Sequence, residues 1–359
     1  MAAIQNQGYN FNARIKKLKD GLEGVVVLTG STNIFYFSGF MANGIDRLIS
    51  LVIDEDETTL IIPSLHANEV KHLENEMQVL VWNDGQNPVD IIRKFTNGKK
   101  VYIEGSMPVK IYKSLCLNKV EIIDEKIAKM RSVKDSVEIY NIEKAVNIAE
   151  MSLEETIGHI KEGVTEKEIA SLLEMEFDEN GGDGTAFPTI VSFGENAANP
   201  HHMPGKRKLK VNEAIVIDFG CISSYYRSDM TRTLFFGHPD SNFTSAYDAV
   251  KEAQESGCNF ADPTVCGKKV DLHVRSIIEA KGYGKYFTHR TGHGIGLDEH
   301  EEPYVDLNNI KKFVPGNCIT IEPGVYIPNK FGIRIEDIIV ITPEKSKDLN
   351  TFGRDLMLI

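Results

Sequence analysis

Along the first third of the chain, apolar positions fall into short runs rather than stripes. "GVVVL" (24–28), "RLISLVI" (47–53), "TTLIIP" (58–63), "QVLVW" (78–82) and "KKVYIE" (99–104) are rich in β-branched residues and bounded by turn or charged residues, which predicts strands. "SLHANEVKHL" (64–73) and "PVDIIRKF" (88–95) predict helices between them. Strands alternating with helices imply a small α/β layered domain over residues 1–125.

The period changes in the 120s. "DEKIAKMRSVKDSVEIYNIEKAVNIAEMSLEETIGHI" is charged and repeats apolar residues at helical spacing, with Ile139, Ile142, Ala145, Val146 and Ala149 on one stripe. "EGVTEKEIASLLEMEF" predicts another helix, opened by a capping box of Thr165 and Glu168 and ended by "GGDG" (181–184). Beyond it, strand-like runs with Gly and Pro turns are interrupted by helical patterns near 245–257 and 270–281. The expected organisation is therefore an α+β domain over 126–359 behind the smaller α/β domain.

Composition narrows the class. The 359 residues are more than one ordinary core needs. The net charge of −12 argues against a nucleic-acid binder, since "PGKRKLK" (204–210) is the one short basic stretch and reads as a solvated loop. No apolar run approaches the roughly 20 residues that cross a bilayer, and "MAAIQNQGYNFNARIKK" has no apolar signal core. The five cysteines are odd in number, widely spaced and free of CxxC, which argues against a disulfide framework or thiolate zinc site and points to the cytoplasm.

Carboxylates in apolar strands are the unexpected feature. In "EAIVIDFGCISSYYRSDMTRTLFFG" (213–237), Asp218 and Asp229 are equidistant from the Ser223–Ser224 pair, so a two-residue hairpin loop there would set them face to face, although Ser-Ser is a poor turn pair and a bulge or longer loop is the alternative. In "CITIEPGVYIPNKFGIRIEDIIVI" (318–341), Glu322 and Glu336 are equidistant from Asn329 in a Pro-Asn-Lys turn. Between these segments, "FTHRTGHGIGLDEHEEP" (287–303) offers His289, His293 and His300 among glycines that let the backbone approach a bound group. Two like charges 4 Å apart repel by roughly 4 kcal/mol at an effective dielectric near 20. Four converging carboxylates need compensation, and Arg232 and Arg334 supply only two positive charges. Two divalent cations balance the set, and four carboxylates with a histidine suit a dinuclear centre.

With these segments in view, the chain resembles the creatinase-fold, or pita-bread, metallopeptidases, and specifically the Xaa-Pro aminopeptidases and prolidases. The resemblance runs through "MRSVKDSVEIYNIEKA", "FPTIVSFGENAANPHH", "IDFGCISSYYRSDMTRT", "FTHRTGHGIGLDEHEEP", "TIEPGVYIP" and "IRIED" in order. It implies a C-terminal pita-bread fold behind the N-terminal domain, and two divalent metal ions, with manganese or cobalt suited to the oxygen-rich set and zinc compatible with it. Asp218 would chelate one ion, Asp229 and Glu336 would bridge both, and His293 and Glu322 would complete the second. His201 and His300 would face the scissile carbonyl, Glu322 would carry a proton to the leaving nitrogen, and Arg334 would support the carboxylates. Proline-containing peptides are the implied substrates and a homodimer the implied assembly. Prolidases commonly carry a basic residue where "HEEPYV" has Tyr304, so the expectation leans to an aminopeptidase on longer Xaa-Pro peptides over a dipeptidase. A non-catalytic binding protein on the same fold would be expected to have lost ligands, and all five are present.

Overall fold

A computed structural model describes residues 8–41 and 46–359. Two compact units emerge, the first ending at Arg131 and the second spanning Ser132–Ile359.

The first unit is built on a six-stranded sheet, ordered Gln78–Trp82, Thr58–Pro63, Ser50–Ile53, Val25–Leu28, Val101–Ile103, Val120–Ile122. Val25–Leu28 pairs antiparallel with Ser50–Ile53 and parallel with Val101–Ile103. Every residue of that strand is buried, as a Val/Leu run without polar alternation requires. Val25, Val27, Val52, Ile61, Trp82 and Ile92 meet in the core. Helix Pro88–Thr96 forms as expected, with the Asn87 side chain accepting from the Val89 amide and Pro88 in the first turn.

Residues 64–73 correct the expectation of a helix. They form only two 3-10 turns, Ser64–His66 and Lys71–Leu73. Leu65 is 62% exposed while Val70 and Leu73 are buried, so no continuous apolar stripe holds a helix against the sheet. The long helical stretch after residue 124 is likewise two helices, Asp124–Arg131 and Ser136–Ile157. Asp135 starts the second, accepting from the Val137 and Glu138 amides while Glu138 reaches back to the Asp135 amide. Helix Asp124–Arg131 belongs to the first unit: Asp124 accepts from the Gly105 amide, and Arg131 donates to Asn33.

The second unit places two larger sheets between helices, and adds two-stranded pairs of Ile222–Ser223 with Tyr226–Arg227 and of Gly324–Ile327 with Phe331–Arg334. A four-stranded sheet is ordered Met357–Leu358, Met230–Phe236, Glu213–Phe219, Ile190–Phe193. A five-stranded sheet is ordered Glu301–Val305, Gly292–Gly294, Cys318–Ile321, Asp337–Ile341, Ser346–Asp348. Ile215, Ile217, Phe219, Met230 and Leu234 pack with helices Ser136–Ile157 and Glu166–Glu179. Ile319, Ile321, Ile333, Ile335 and Ile339 pack with helices Ser241–Phe260 and Gly267–Ala280. Because side chains alternate along a strand, Asp218, Thr231, Glu322, Arg334 and Glu336 are left for the opposite, inner faces. Among the described residues, no helix is long and apolar enough to cross a membrane, and all five cysteines are free.

Candidate metal centre and active site

Two hairpins set the carboxylates, and each shows how register decides the chemistry. In the first, Thr231, not Asp229, stands opposite Asp218, and Tyr226 pairs with Ser223. The turn is Ser224–Tyr225, both with positive φ, rather than the Ser223–Ser224 turn expected from the sequence. Positive φ at both central residues gives the twist that a two-residue hairpin loop needs. The partner shifts by two residues, an even number, so Asp218 and Asp229 keep a common face but lie diagonally across it. In the second hairpin, Gly324 pairs with Arg334 and Ile321 with Asp337, which makes Glu322 and Glu336 equidistant from Asn329, itself at φ 60°. That spacing matches the sequence expectation.

The hairpins and the histidine segment line one cavity of about 490 Å³, bounded by His201, Asp218, Asp229, His289, Arg290, His293, Glu299, His300, Glu322, Arg334 and Glu336 among others. Every residue singled out in the sequence for metal binding or catalysis is therefore at this cavity. Asp229, His293 and Glu336 bring donor atoms within 4.8 Å of one another. Gly292 and Gly294 carry His293 into place. A Cβ at Gly292 would lie 1.9 Å from the Thr320 carbonyl oxygen, and one at Gly294 2.4 Å from that of Glu302, so neither strand could approach if these residues had side chains.

His293 shows what kind of ligand the cavity suits. Its Nδ1 donates to the Gly294 carbonyl at 3.1 Å, which leaves Nε2 as a bare lone pair. That lone pair faces Asp229 Oδ2 at 3.5 Å and Glu322 Oε1 at 3.4 Å. Asp218 Oδ1 is buried and has no hydrogen-bond partner among the described residues, while Oδ2 accepts from Arg334 Nη2 at 2.5 Å. With the carboxyls ionised, acceptors face acceptors beside an orphaned carboxylate oxygen, an arrangement that fits a cation set.

The electrostatics agree. Burial pushes the Asp229 carboxyl well above the ordinary range, and Glu336, Asp218 and Glu322 add repulsion. Burial does the same to Glu336, reinforced by Glu322 and Asp218. Glu322 is pushed up to about 7 by burial, with Arg334 pulling the other way and Asp218 adding to the rise. Burial also holds His293 neutral, far below its ordinary value, and depresses His300 together with the Arg290 charge.

Residues around the carboxylates orient them. Thr231 Oγ1 donates to Glu336 Oε2 at 2.6 Å and accepts from Arg334 Nε at 2.9 Å. Arg334 Nη1 donates to the Tyr326 hydroxyl at 2.7 Å, and that hydroxyl lies 2.9 Å from His289 Nε2. His289 Nδ1 is 2.7 Å from the Arg290 carbonyl, so both ring nitrogens are engaged, unlike those of His293. Arg232, counted in the sequence as a compensating charge, faces the other side of its strand and pairs with Asp337 at 2.6 Å. Thr231, Tyr326 and Arg290 carry no sequence signal of their own, because hydroxyls and an arginine are ordinary on strands. Period-two alternation from Asp229 and Glu322 was the available clue to Thr231 and Tyr326.

Residues 140–343 match metallopeptidase family M24, and residues 14–133 match the creatinase/prolidase N-terminal domain. An uncharacterized peptidase of Staphylococcus aureus is 38% identical over 323 residues, covering 88% of this chain and 92% of the relative. A prolidase from Thermococcus sibiricus superposes with a TM-score of 0.92 at 34% identity, covering 98% of this chain and 100% of that one. An X-Pro aminopeptidase from Thermotoga maritima does so with a TM-score of 0.87 at 32% identity, covering 96% and 100%. With a creatinase-type first domain, a pita-bread second domain and a carboxylate–histidine cavity between its two sheets, the chain belongs to metallopeptidase family M24.

Proposed function

We propose that this protein is a dinuclear-metal exopeptidase that hydrolyses the Xaa-Pro bond at the amino terminus of peptides. The observation that carries the reading is the bare Nε2 of His293 directed at Asp229 and Glu322, beside the orphaned Asp218 oxygen. Asp218, Asp229, His293, Glu322 and Glu336 would hold two divalent cations, and the donor set suits manganese or cobalt. Such ions, when bound, supply a nucleophile at neutral pH and polarise the scissile carbonyl.

The chain's own residues do the remaining work. Asp218 and Asp229 attract the free substrate amine, which fixes cleavage one residue from the end. His201 and His300 donate hydrogen bonds to the oxygen that gains charge. The His300 ring meets the His293 ring edge-on at 4.1 Å, which sets its distance from the centre. Glu322 passes a proton to the leaving prolyl nitrogen, without which that amine is a poor leaving group. Arg334 holds Asp218 through its Nη2 contact.

Arg290 supports a second reading on substrate length. It lines the cavity with its guanidinium 4.7 Å from the Tyr304 ring centre, and forms no side-chain hydrogen bond or ion pair among the described residues. The position that lacks a basic residue is thus overlaid by an arginine from the segment just before strand Gly292–Gly294, and a dipeptide's terminal carboxylate could pair with it. One assay tests both readings: strip the metal, restore manganese, cobalt or zinc, and compare an Xaa-Pro dipeptide with an Xaa-Pro tripeptide. Failure of every metal to restore cleavage of either peptide would reject the function. A strong dipeptide preference selects the second reading.

A further inference from the structure

The segment that carries His201 is held by one buried carboxylate outside the cavity. Glu166 is the first residue of helix Glu166–Glu179 and is fully buried. An ionised carboxylate there needs several donors to offset its lost hydration. All four come from residues 193–205, beginning with the last residue of strand Ile190–Phe193. Oε1 accepts from the Phe193 amide at 3.0 Å and from Asn196 Nδ2 at 2.8 Å. Oε2 accepts from His202 Nε2 at 2.9 Å and from the Gly205 amide at 3.0 Å. The two oxygens therefore grip opposite ends of a loop, one at its entry and one at its exit.

The helix start adds to this grip. The Glu166 amide donates to the Arg207 carbonyl at 3.2 Å, and the Lys167 amide to that of Gly205 at 3.1 Å. The positive end of the helix dipole also favours the carboxylate's charge. Pro200 and His201 lie at the far side of this loop, at the cavity, and His202 is the very next residue. His201 itself is exposed, and its backbone amide donates to Asn199 Oδ1. Its placement is thus set by the loop rather than by packing of its own ring.

We propose that Glu166, with His202, is a positioning residue for His201: it clamps both ends of the 193–205 loop and so fixes where that imidazole stands over the substrate. The proposal rests on the Xaa-Pro peptidase reading for its catalytic consequence, but the clamp itself does not. Glu166→Gln separates the two ends. The amide oxygen can still accept at one pair of donors, but the NH₂ group faces donors at the other. His202 can adapt by changing tautomer, but the Gly205 amide cannot.

The test is a double-mutant cycle on the metal-loaded full chain, combining Glu166→Gln with His201→Ala and reading kcat and KM. Glu166→Gln should lower kcat by about tenfold to a hundredfold, the scale of a small misplacement near a reacting bond, with bound metal unchanged. The double variant should be no slower than His201→Ala alone. Full additivity would overturn the proposal, because a merely structural glutamate has no reason to act through His201. If Glu166→Gln does not fold, His202→Leu removes one of the four donors and is put through the same cycle, with the same two outcomes. A wild-type chain inactive on both peptides sinks the peptidase reading instead. Amide exchange then decides the clamp: faster exchange across 194–205 in the variant supports it, and unchanged protection rejects it.

Discussion

Thr231 joins the two sheets at Glu336: its hydroxyl donates to Glu336 Oε2 at 2.6 Å, and its carbonyl accepts from the Glu336 amide at 3.1 Å. The same hydroxyl accepts from Arg334 Nε, so one oxygen orients both a carboxylate and the arginine that holds Asp218. Thr231→Val keeps the shape and removes this link. We expect bound metal to weaken by about 10–100-fold, the usual cost of losing a partner of a ligand. Calorimetric titration with manganese checks it, and wild-type affinity would show that Glu336 needs no such support.

Asp229 is 4% exposed, and its carboxyl is the one that feels Glu336, Asp218 and Glu322 together. Asp229→Asn removes a charge without changing volume. It should abolish peptide hydrolysis and reduce bound metal, since an amide cannot bridge two cations as a carboxylate does. Metal content by atomic emission and activity on an Xaa-Pro tripeptide are the paired measurements. Full occupancy with full activity is incompatible with a bridging role.

How far the sequence disclosed this site depended on turn chemistry. Glu322 and Glu336 could be paired because Asn329 marks its turn, and the observed register follows it. Asp218 and Asp229 lie two residues off the register that a Ser223–Ser224 loop predicts. Neither Ser224 nor Tyr225 belongs to the residue types that favour positive φ, so nothing local marked the turn. The common face survived because the error was even. Arg232 went the other way: one residue from Thr231, it points to the opposite side, and only the pairing with Asp337 reveals that. The helix expected at 64–73 failed for a related reason, because propensity without a buried stripe does not hold a helix. Glu166 had no visible role, since an acidic residue in a first helical turn is ordinary and its four donors come from 27 or more residues away in sequence.

Stability of the metal-stripped protein should fall as pH rises above neutrality. Glu322 is pushed up to about 7, and Asp229 and Glu336 are raised well above their ordinary values, all chiefly by burial. A raised carboxyl stabilises the fold fully below its unfolded value and loses that contribution as pH climbs through the folded one. His289, pushed down to about 3 by burial and by Arg334, and His293, also depressed, have the opposite sign. Their contribution is lost as pH falls below the ordinary histidine value of 6.5. Between about pH 7 and 8 the histidines are almost wholly neutral in both states and the buried thiols, also raised by burial, are still mostly protonated in both, so the carboxyls dominate the slope. Melting temperatures of the stripped chain should drop across that window. Manganese should flatten the drop, because binding expels the protons. A stripped chain that gains stability with pH there would contradict a carboxyl cluster held protonated by burial.

Arg290 is the residue on which substrate length is proposed to turn. Its guanidinium lies 4.7 Å from the Tyr304 ring centre at the cavity, and no carboxylate among the described residues is paired with it. The Tyr304 face favours the cation and keeps the planar group flat. If this group receives the terminal carboxylate of an Xaa-Pro dipeptide, Arg290→Ala should raise KM for the dipeptide by about 10–100-fold, the scale of one charge-assisted hydrogen-bonded pair. The same variant should leave an Xaa-Pro tripeptide within about threefold, because its carboxylate lies one residue farther out. Lys in place of Arg keeps the charge but loses the flat fork, so it should recover only part of the dipeptide affinity. Equal losses on both peptides would assign Arg290 a structural role and return the preference to longer peptides. A loss confined to the dipeptide would make the arginine, rather than the residue at 304, the determinant of length.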